Sequence, residues 1–270
     1  MLETANLPTH RRAWRRTDDL TPGAPKVKLV VKPLRLPLSP TQVLIKVRAV
    51  ALNYRDANIA NGGNPWPVLP RGILGNDAAG DKPGRSWRAA DQDAVLADHL
   101  VFDEKLLAKL PPHVDWVNWS IIPCAGATAW SARKGLSIGQ SVLSQDTGGV
   151  AMFALKLAQA SGFKIILSSP SDAKIEATQK ASPSAPVYGV SGVCVNLVVG
   201  NGGTPSLVQS VKCTRRGGVV SQVGYLGERN PAHLKDFVST ILDRRVNVRG
   251  INTGSSLDLE DLCAAISATV

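Results

Sequence analysis

The stretch Ser141 to Gly162, SVLSQDTGGVAMFALKLAQASG, constrains this chain more than any other. A short β-like run, Ser141 to Gln145, leads into a glycine turn at Thr147-Gly148-Gly149. An apolar helical run follows from Val150 to Ala160. Gly162 is placed to stop it, and Lys164 to Ser168 reads as a second strand. Strand, glycine turn, helix, strand is a unit that can receive a dinucleotide. Small residues let the backbone approach a pyrophosphate, and the helix N-terminus offers it free N–H groups.

The glycine pattern of such units is only partly met. G-x-G-x-x-G calls for glycine at 146, 148 and 151, and the chain has Asp146, Gly148 and Ala151. Alanine in the third place still lets helix and strand pack closely. Aspartate in the first puts a carboxylate beside the place meant for phosphate. On these residues alone, a buried βαβ unit without a nucleotide is an equal reading.

Composition narrows the classes. A chain of 270 residues, 44% of them hydrophobic, can hold one large or two modest domains. No apolar run nears the ~20 residues of a membrane span. The N-terminal MLETANLPTHRRAWRRTDD lacks the apolar stretch of a secretory signal, and Glu3, Asp18 and Asp19 argue against a transit peptide. A cytoplasmic protein without membrane partners is expected. Cys124, Cys194, Cys213 and Cys263 are widely spaced, as are His10, His99, His113 and His233, so no metal site is expected.

Net charge is +10, with many of the cations in the first fifty residues. A basic arm can dock nucleic acid. In KVKLVVKPL and VLIKVRAVAL, however, Lys26, Lys28, Lys46 and Arg48 alternate with Val, Ile and Leu, as the solvent face of a sheet requires. Nucleic acid is disfavoured, and a basic surface suits a polyanionic cofactor.

Residues up to about 110 read as β-rich, with strands at Lys26–Val31, Gln42–Ala51 and Ala94–Phe102. Asn53 to Pro70 reads as a loop punctuated by glycine and proline, and Ile73 to Gly80 as a glycine turn. Trp116 to Trp130 reads as helical with Pro123 interrupting. Val193–Val199, Gly218–Gly224 and Arg245–Ile251 read as further strands, and Pro205–Cys213 as a short helix. Alternating strands and helices from about 135 onward imply a parallel sheet.

VLIKVRAVALNYRDANI, CAGATAW, the βαβ stretch and GGVVSQVGYLG follow one another in a telling order. The sequence resembles the zinc-independent quinone-oxidoreductase branch of the medium-chain dehydrogenase/reductase superfamily, and within it fungal alcohol dehydrogenase-like proteins. The resemblance implies an α/β protein with a GroES-like β-rich catalytic domain over 1–120. A Rossmann domain with a doubly wound parallel sheet over 121–270 would follow. It implies NADP(H) in the cleft and hydride transfer to a quinone, an α,β-unsaturated carbonyl or an aldehyde.

Carried over by position, the resemblance puts Asn53, Tyr54 and Thr128 near the nicotinamide end, with Asn53 orienting the cofactor and Tyr54 a candidate catalytic donor. Gly148, Gly149 and Val150 would face the pyrophosphate, and Val223, Gly224 and Tyr225 would flank the nicotinamide. Zinc-dependent relatives have a cysteine where this chain has Asn53 or Tyr54, and a histidine where it has Asn76, so zinc is not expected. At the end of the second strand, Ser168 and Ser169 with Lys174 one turn on suit a 2′-phosphate better than the acidic residue of NAD sites. Ser169 and Asp172 also have the spacing of a helix capping box.

The resemblance is shortened after Gly80, where DKPGRSWRAADQD bridges a gap, after Gly189 within SPSAPVYGVSG, and at Val270. The expectation is therefore a shortened NADPH-dependent reductase, with activity impaired by the deletions and by Asp146. A non-catalytic nucleotide-binding or scaffold remnant of the same fold is the alternative, ahead of a nucleic-acid-binding protein. A homodimer follows by analogy only.

Overall fold

A computed structural model describes residues 7–81, 93–181, 194–228 and 230–268. The bridging segment after Asp81 and the SPSAPVYGVSG segment lie outside the described residues. The chain divides into two compact units, Met1–Cys124 with Leu259–Val270, and Ala125–Asp258.

The first unit is antiparallel. β1, His10–Arg16, pairs with β2, Val27–Pro33, from His10 opposite Pro33 to Arg16 opposite Val27. β3, Gln42–Ala51, is the centre of a second sheet between β4, Asp77–Asp81, and β5, His99–Asp103. Lys26 and Lys28 do alternate with apolar neighbours, but β2 is exposed along most of its length. Ala13, Ile45, Ile73, Val95, Ala97 and Leu100 form one core cluster, and Ile59, Leu74 and Ala94 another.

Four local readings change. A helix, α1, Tyr54–Ala60, stands where a loop was expected. Asp56 accepts the Asn53 N–H at 2.8 Å, half of a capping box, and Ile59 buries the inner face. The Ile73–Gly80 turn ends in β4. Its Gly80 is needed because a Cβ there would lie 2.4 Å from the Lys46 carbonyl oxygen. Ala94–Leu96 is held by backbone bonds to Ile73, Leu74 and Gly75, so β5 begins only at His99. The expected helix around Pro123 is split. α2, Trp116–Ser120, gives way to one wide π turn, Ile122–Gly126. Pro123 brings no N–H to a ladder.

The second unit starts with α3, Ala127–Ala132, then β6, Ser141–Gln145, α4, Gly149–Ala160, and β7, Lys164–Ser168. α5, Asp172–Ala181, β8, Val195–Gly200, α6, Thr204–Cys213, and β9, Thr214–Gln222, follow. α7, Phe237–Arg244, β10, Asn247–Gly250, and α8, Ser256–Ser267, complete it, α8 continuing into the first unit. The sheet order is β10-β9-β8-β6-β7, all parallel. Its faces are buried separately, Leu143, Val198 and Val220 with α6 and α7 on one side, Val142, Leu197 and Val199 with Ala132 and Val150 on the other. Burial on both faces explains why these strands read as continuous apolar runs. Among the described residues no helix is long and apolar enough to cross a membrane.

Candidate functional site

In the second unit the chain runs from β6 outward to β7, then crosses back past β6 to β8. The order reverses between β6 and β8, and open parallel sheets bind ligands in the crevice at the carboxyl ends of such strands. Those ends are tied into one frame. Asn201 Nδ2 donates to the Gln145 carbonyl at 2.7 Å. The Gln145 side chain donates to Ser210 Oγ at 2.8 Å and accepts from the Gly202 N–H at 3.2 Å and from Ser206 Oγ at 3.0 Å. The N–H groups of Val223 and Gly224 both reach the Gly200 carbonyl at 2.9 Å. Gly224 allows the crossing: a Cβ there would stand 2.0 Å from the Asn201 carbonyl oxygen.

The turn from β6 to α4 is the most exposed part of this frame. Gly148 is the N-cap, no side chain caps the helix, and Gly148 and Gly149 are exposed. The first amides of α4 therefore have no side-chain acceptor, the state a bound anion would use. Asp146, at φ +73°, takes the left-handed conformation that a glycine takes more readily. Its N–H extends the ladder to the Ser168 carbonyl at 2.7 Å, and its Oδ1 accepts the Thr147 N–H at 2.6 Å. The carboxylate thus turns back into the loop beside the open amides.

Gly148, Gly149, Ser168, Val223 and Gly224 gather at this end of the sheet. Val150 is half-buried on the sheet face, Thr128 is buried in α3, and Tyr225 is half-buried after β9. Ser169 accepts the Ser171 N–H at 3.2 Å and so closes a turn rather than capping α5, which begins at Asp172. Lys174 is exposed in the first turn of α5.

The first unit has its own polar centre. Asn53 Nδ2 donates to Asp77 Oδ2 at 2.7 Å. Asp56 accepts the Gly75 N–H at 3.1 Å and the Asn76 amide at 3.3 Å. Asp56, Asn76 and Asp77 are all buried. Burial pushes the Asp77 carboxyl up to about 7, the Asn53 amide holds it down in part, and the charge of Asp56 raises it further. Asp56 is raised as well, by burial first, against the N–H groups of Asn53 and Gly75. Tyr54, next to this pair, is 72% exposed. Buried carboxyls shifted in this way concentrate at functional sites. Asp56 and Asp77 were missed from sequence; the signal was two carboxylates, in NYRD and NDAAG, set in otherwise glycine-rich or apolar runs.

No protein-family model matches the chain. A zinc-type alcohol dehydrogenase-like protein of Schizosaccharomyces pombe is 29% identical over 284 residues, covering 86% of this chain and 82% of that protein. A candidate alcohol dehydrogenase from Sinorhizobium meliloti 1021 superposes with a TM-score of 0.82 at 23% identity, over 98% of this chain and 90% of that one. The chain has the fold of the medium-chain dehydrogenase/reductases. Acetophenone reductase from Geotrichum candidum NBRC 4597, solved in complex with NAD, shares the fold with a TM-score of 0.78 at 15% identity, over 98% of this chain and 89% of that one. In medium-chain dehydrogenase/reductase terms, the antiparallel unit is the GroES-like part and the five-stranded parallel unit the Rossmann part.

Proposed function

We propose that this chain is a medium-chain dehydrogenase/reductase, an NADP(H)-dependent, zinc-independent oxidoreductase of the quinone-oxidoreductase type. Its substrate would be a quinone, an α,β-unsaturated carbonyl or an aldehyde. The observation that carries the proposal is the uncapped head of α4, with exposed Gly148 and Gly149, at the strand reversal between β6 and β8. When bound, NADP(H) supplies the hydride. Gly148, Gly149 and the amides that follow would hold the pyrophosphate. Ser168, Ser169 and Lys174 would receive the 2′-phosphate, and Val223, Gly224 and Tyr225 would line the nicotinamide end.

In the first unit, Asn53 is oriented by Asp77 and Tyr54 presents an exposed phenol. The proposed roles are an amide that positions cofactor and a hydroxyl that donates to the developing oxyanion. Zinc fits poorly here. Asn53 and Asn76 present their amide nitrogens to Asp77 and Asp56, and amide N–H groups do not ligate a cation. Among the described residues no group of three or more His, Cys, Asp or Glu could hold a metal ion.

Asp146 supports a second reading, a non-catalytic nucleotide-binding or scaffold protein on the same fold, because its carboxylate accepts a turn amide beside the phosphate position. A cytosolic homodimer is the form proposed for either reading. β10 ends the sheet among the described strands and offers an edge to a second copy, which light scattering would detect.

The test is a fluorescence titration with NADPH and, in parallel, NADH. Saturable binding tighter for NADPH, followed by turnover of quinones or enones, supports the enzyme. Binding without turnover favours the second reading. A folded protein that binds neither nucleotide refutes the enzyme and leaves only the scaffold form of the second reading.

A further inference from the structure

Two cysteines and an arginine meet where β8 begins and α6 ends. Val195 of β8 pairs with Thr214 of β9; Cys194 directly precedes β8, and Cys213, the last residue of α6, directly precedes β9. The paired residues that follow them lie on neighbouring strands, about 4.8 Å apart, and a disulfide joins α-carbons roughly 4.4–6.8 Å apart. Arg244, in the last turn of α7, places Nη1 at 2.9 Å from the Thr214 carbonyl oxygen and 3.7 Å from Cys194 Sγ. One nitrogen thereby links the Cys194 sulfur to the residue next to Cys213. The Cys213 thiol is pushed up by burial and then by Cys194, with Arg244 acting against both. Cys194 is exposed, Cys213 is half-buried, and both are free thiols.

The two sulfurs differ in what they can do. Cys194 is open to small oxidants, and its sulfur lies against the Arg244 guanidinium. Cys213 is sheltered beside it. Cys263 is buried in α8, its thiol pushed up to about 11 by burial, and Cys124 belongs to the other unit. We propose that Cys194 and Cys213 form a peroxide-oxidisable dithiol, Cys194 reacting first and Cys213 closing an intramolecular disulfide.

In the first step the Cys194 thiolate attacks one oxygen of hydrogen peroxide. An S–O bond forms as the O–O bond breaks, and the departing hydroxide takes up a proton to leave as water. Cys194 is then a sulfenic acid. In the second step Cys213, having released its proton, attacks the Cys194 sulfur. The S–S bond forms, the S–O bond breaks, and the departing hydroxide takes a proton to become the second water. The dithiol loses two electrons and two protons, and the peroxide gains them.

The test uses the full reduced chain, exposed to hydrogen peroxide and digested with trypsin. Cleavage after Lys212 places the two cysteines in different peptides. The expected result is one linked peptide pair carrying Cys194 and Cys213, with an intact mass lower by two hydrogens and restored by dithiothreitol. Cys213→Ser should accumulate a Cys194 sulfenic acid that dimedone labels, and Cys194→Ser should give neither product. Arg244→Gln should slow disulfide formation about tenfold, with Arg244→Lys between it and the wild type. Absence of the linked pair, links formed only between chains, or Cys124 or Cys263 oxidising as fast as Cys194 would overturn the proposal. An Arg244→Gln rate equal to wild type would overturn the part assigned to the arginine.

Discussion

Replacing Asp77 by asparagine should change how stability depends on pH, and the size of the change follows from the site. Asp77 is 1% exposed, and its carboxyl is pushed from 3.8 to about 7, by burial first and then by Asp56. Below the unfolded value the group is protonated in both states and contributes no pH dependence. As pH rises from there, the unfolded chain releases the proton while the folded protein keeps it, so stability falls until pH passes the folded value. Moving a carboxyl that far corresponds to about 4 kcal/mol in total. Of this, about 2–3 kcal/mol falls between about pH 5 and about pH 8.

The substituted amide would carry no charge to desolvate, and its carbonyl can still accept from Asn53 Nδ2, which lies 2.7 Å from Asp77 Oδ2 in the wild type. Asp77→Asn should therefore gain about 2–3 kcal/mol on the wild type at about pH 8 relative to about pH 5. Urea unfolding followed by tryptophan fluorescence at the two pH values measures it. The comparison uses a difference of differences, so a uniform cost of the new amide cancels. A ΔΔG that is the same at both pH values would show that the buried carboxyl is not titrating near neutrality.

Asp146→Gly removes the carboxylate from the turn and supplies the residue that φ +73° favours. NADPH affinity should rise roughly five- to a hundredfold, the equivalent of about 1–3 kcal/mol, and an unchanged Kd would show that the Asp146 carboxylate does not oppose the nucleotide. Gly224→Ala would drive a Cβ to 2.0 Å from the Asn201 carbonyl oxygen. It should cost at least about 2 kcal/mol in thermal unfolding, and a neutral result would mean the two loops are not held in that crossing. Arg249 donates to Ser221 Oγ at 2.9 Å and to the carbonyls of Ala132 and Lys134 at 2.8 and 2.7 Å, closing the end of α3. Arg249→Met should lose about 1–3 kcal/mol by urea unfolding; no loss would show those carbonyls find water instead.

The sequence by itself determined the second unit best. β6 and β7 have the limits expected for them, α4 and α6 differ by one residue at the start, and the apolar run at 195–199 is a strand as expected. Such segments carry their own signals, because glycine turns, chain stops and two-sided apolar runs act over a few residues. α1, β1, α7 and α8 were not legible. α1 is short and its cap depends on Asp56 folding back on Asn53, while β1 alternates arginine with little else to mark it. The candidate site was legible as a glycine turn, but its frame was not. Gln145, Asn201 and Gly224 act only once β6, β8 and β9 lie side by side, since no local pattern says which strand ends become neighbours. The same holds for Asp56 and Asp77, 21 positions apart, whose shared burial raises both carboxyls. Local hydrogen-bonding and hydrophobic preferences can be read in a linear sequence; desolvation and long-range pairing exist only when the tertiary structure closes around them.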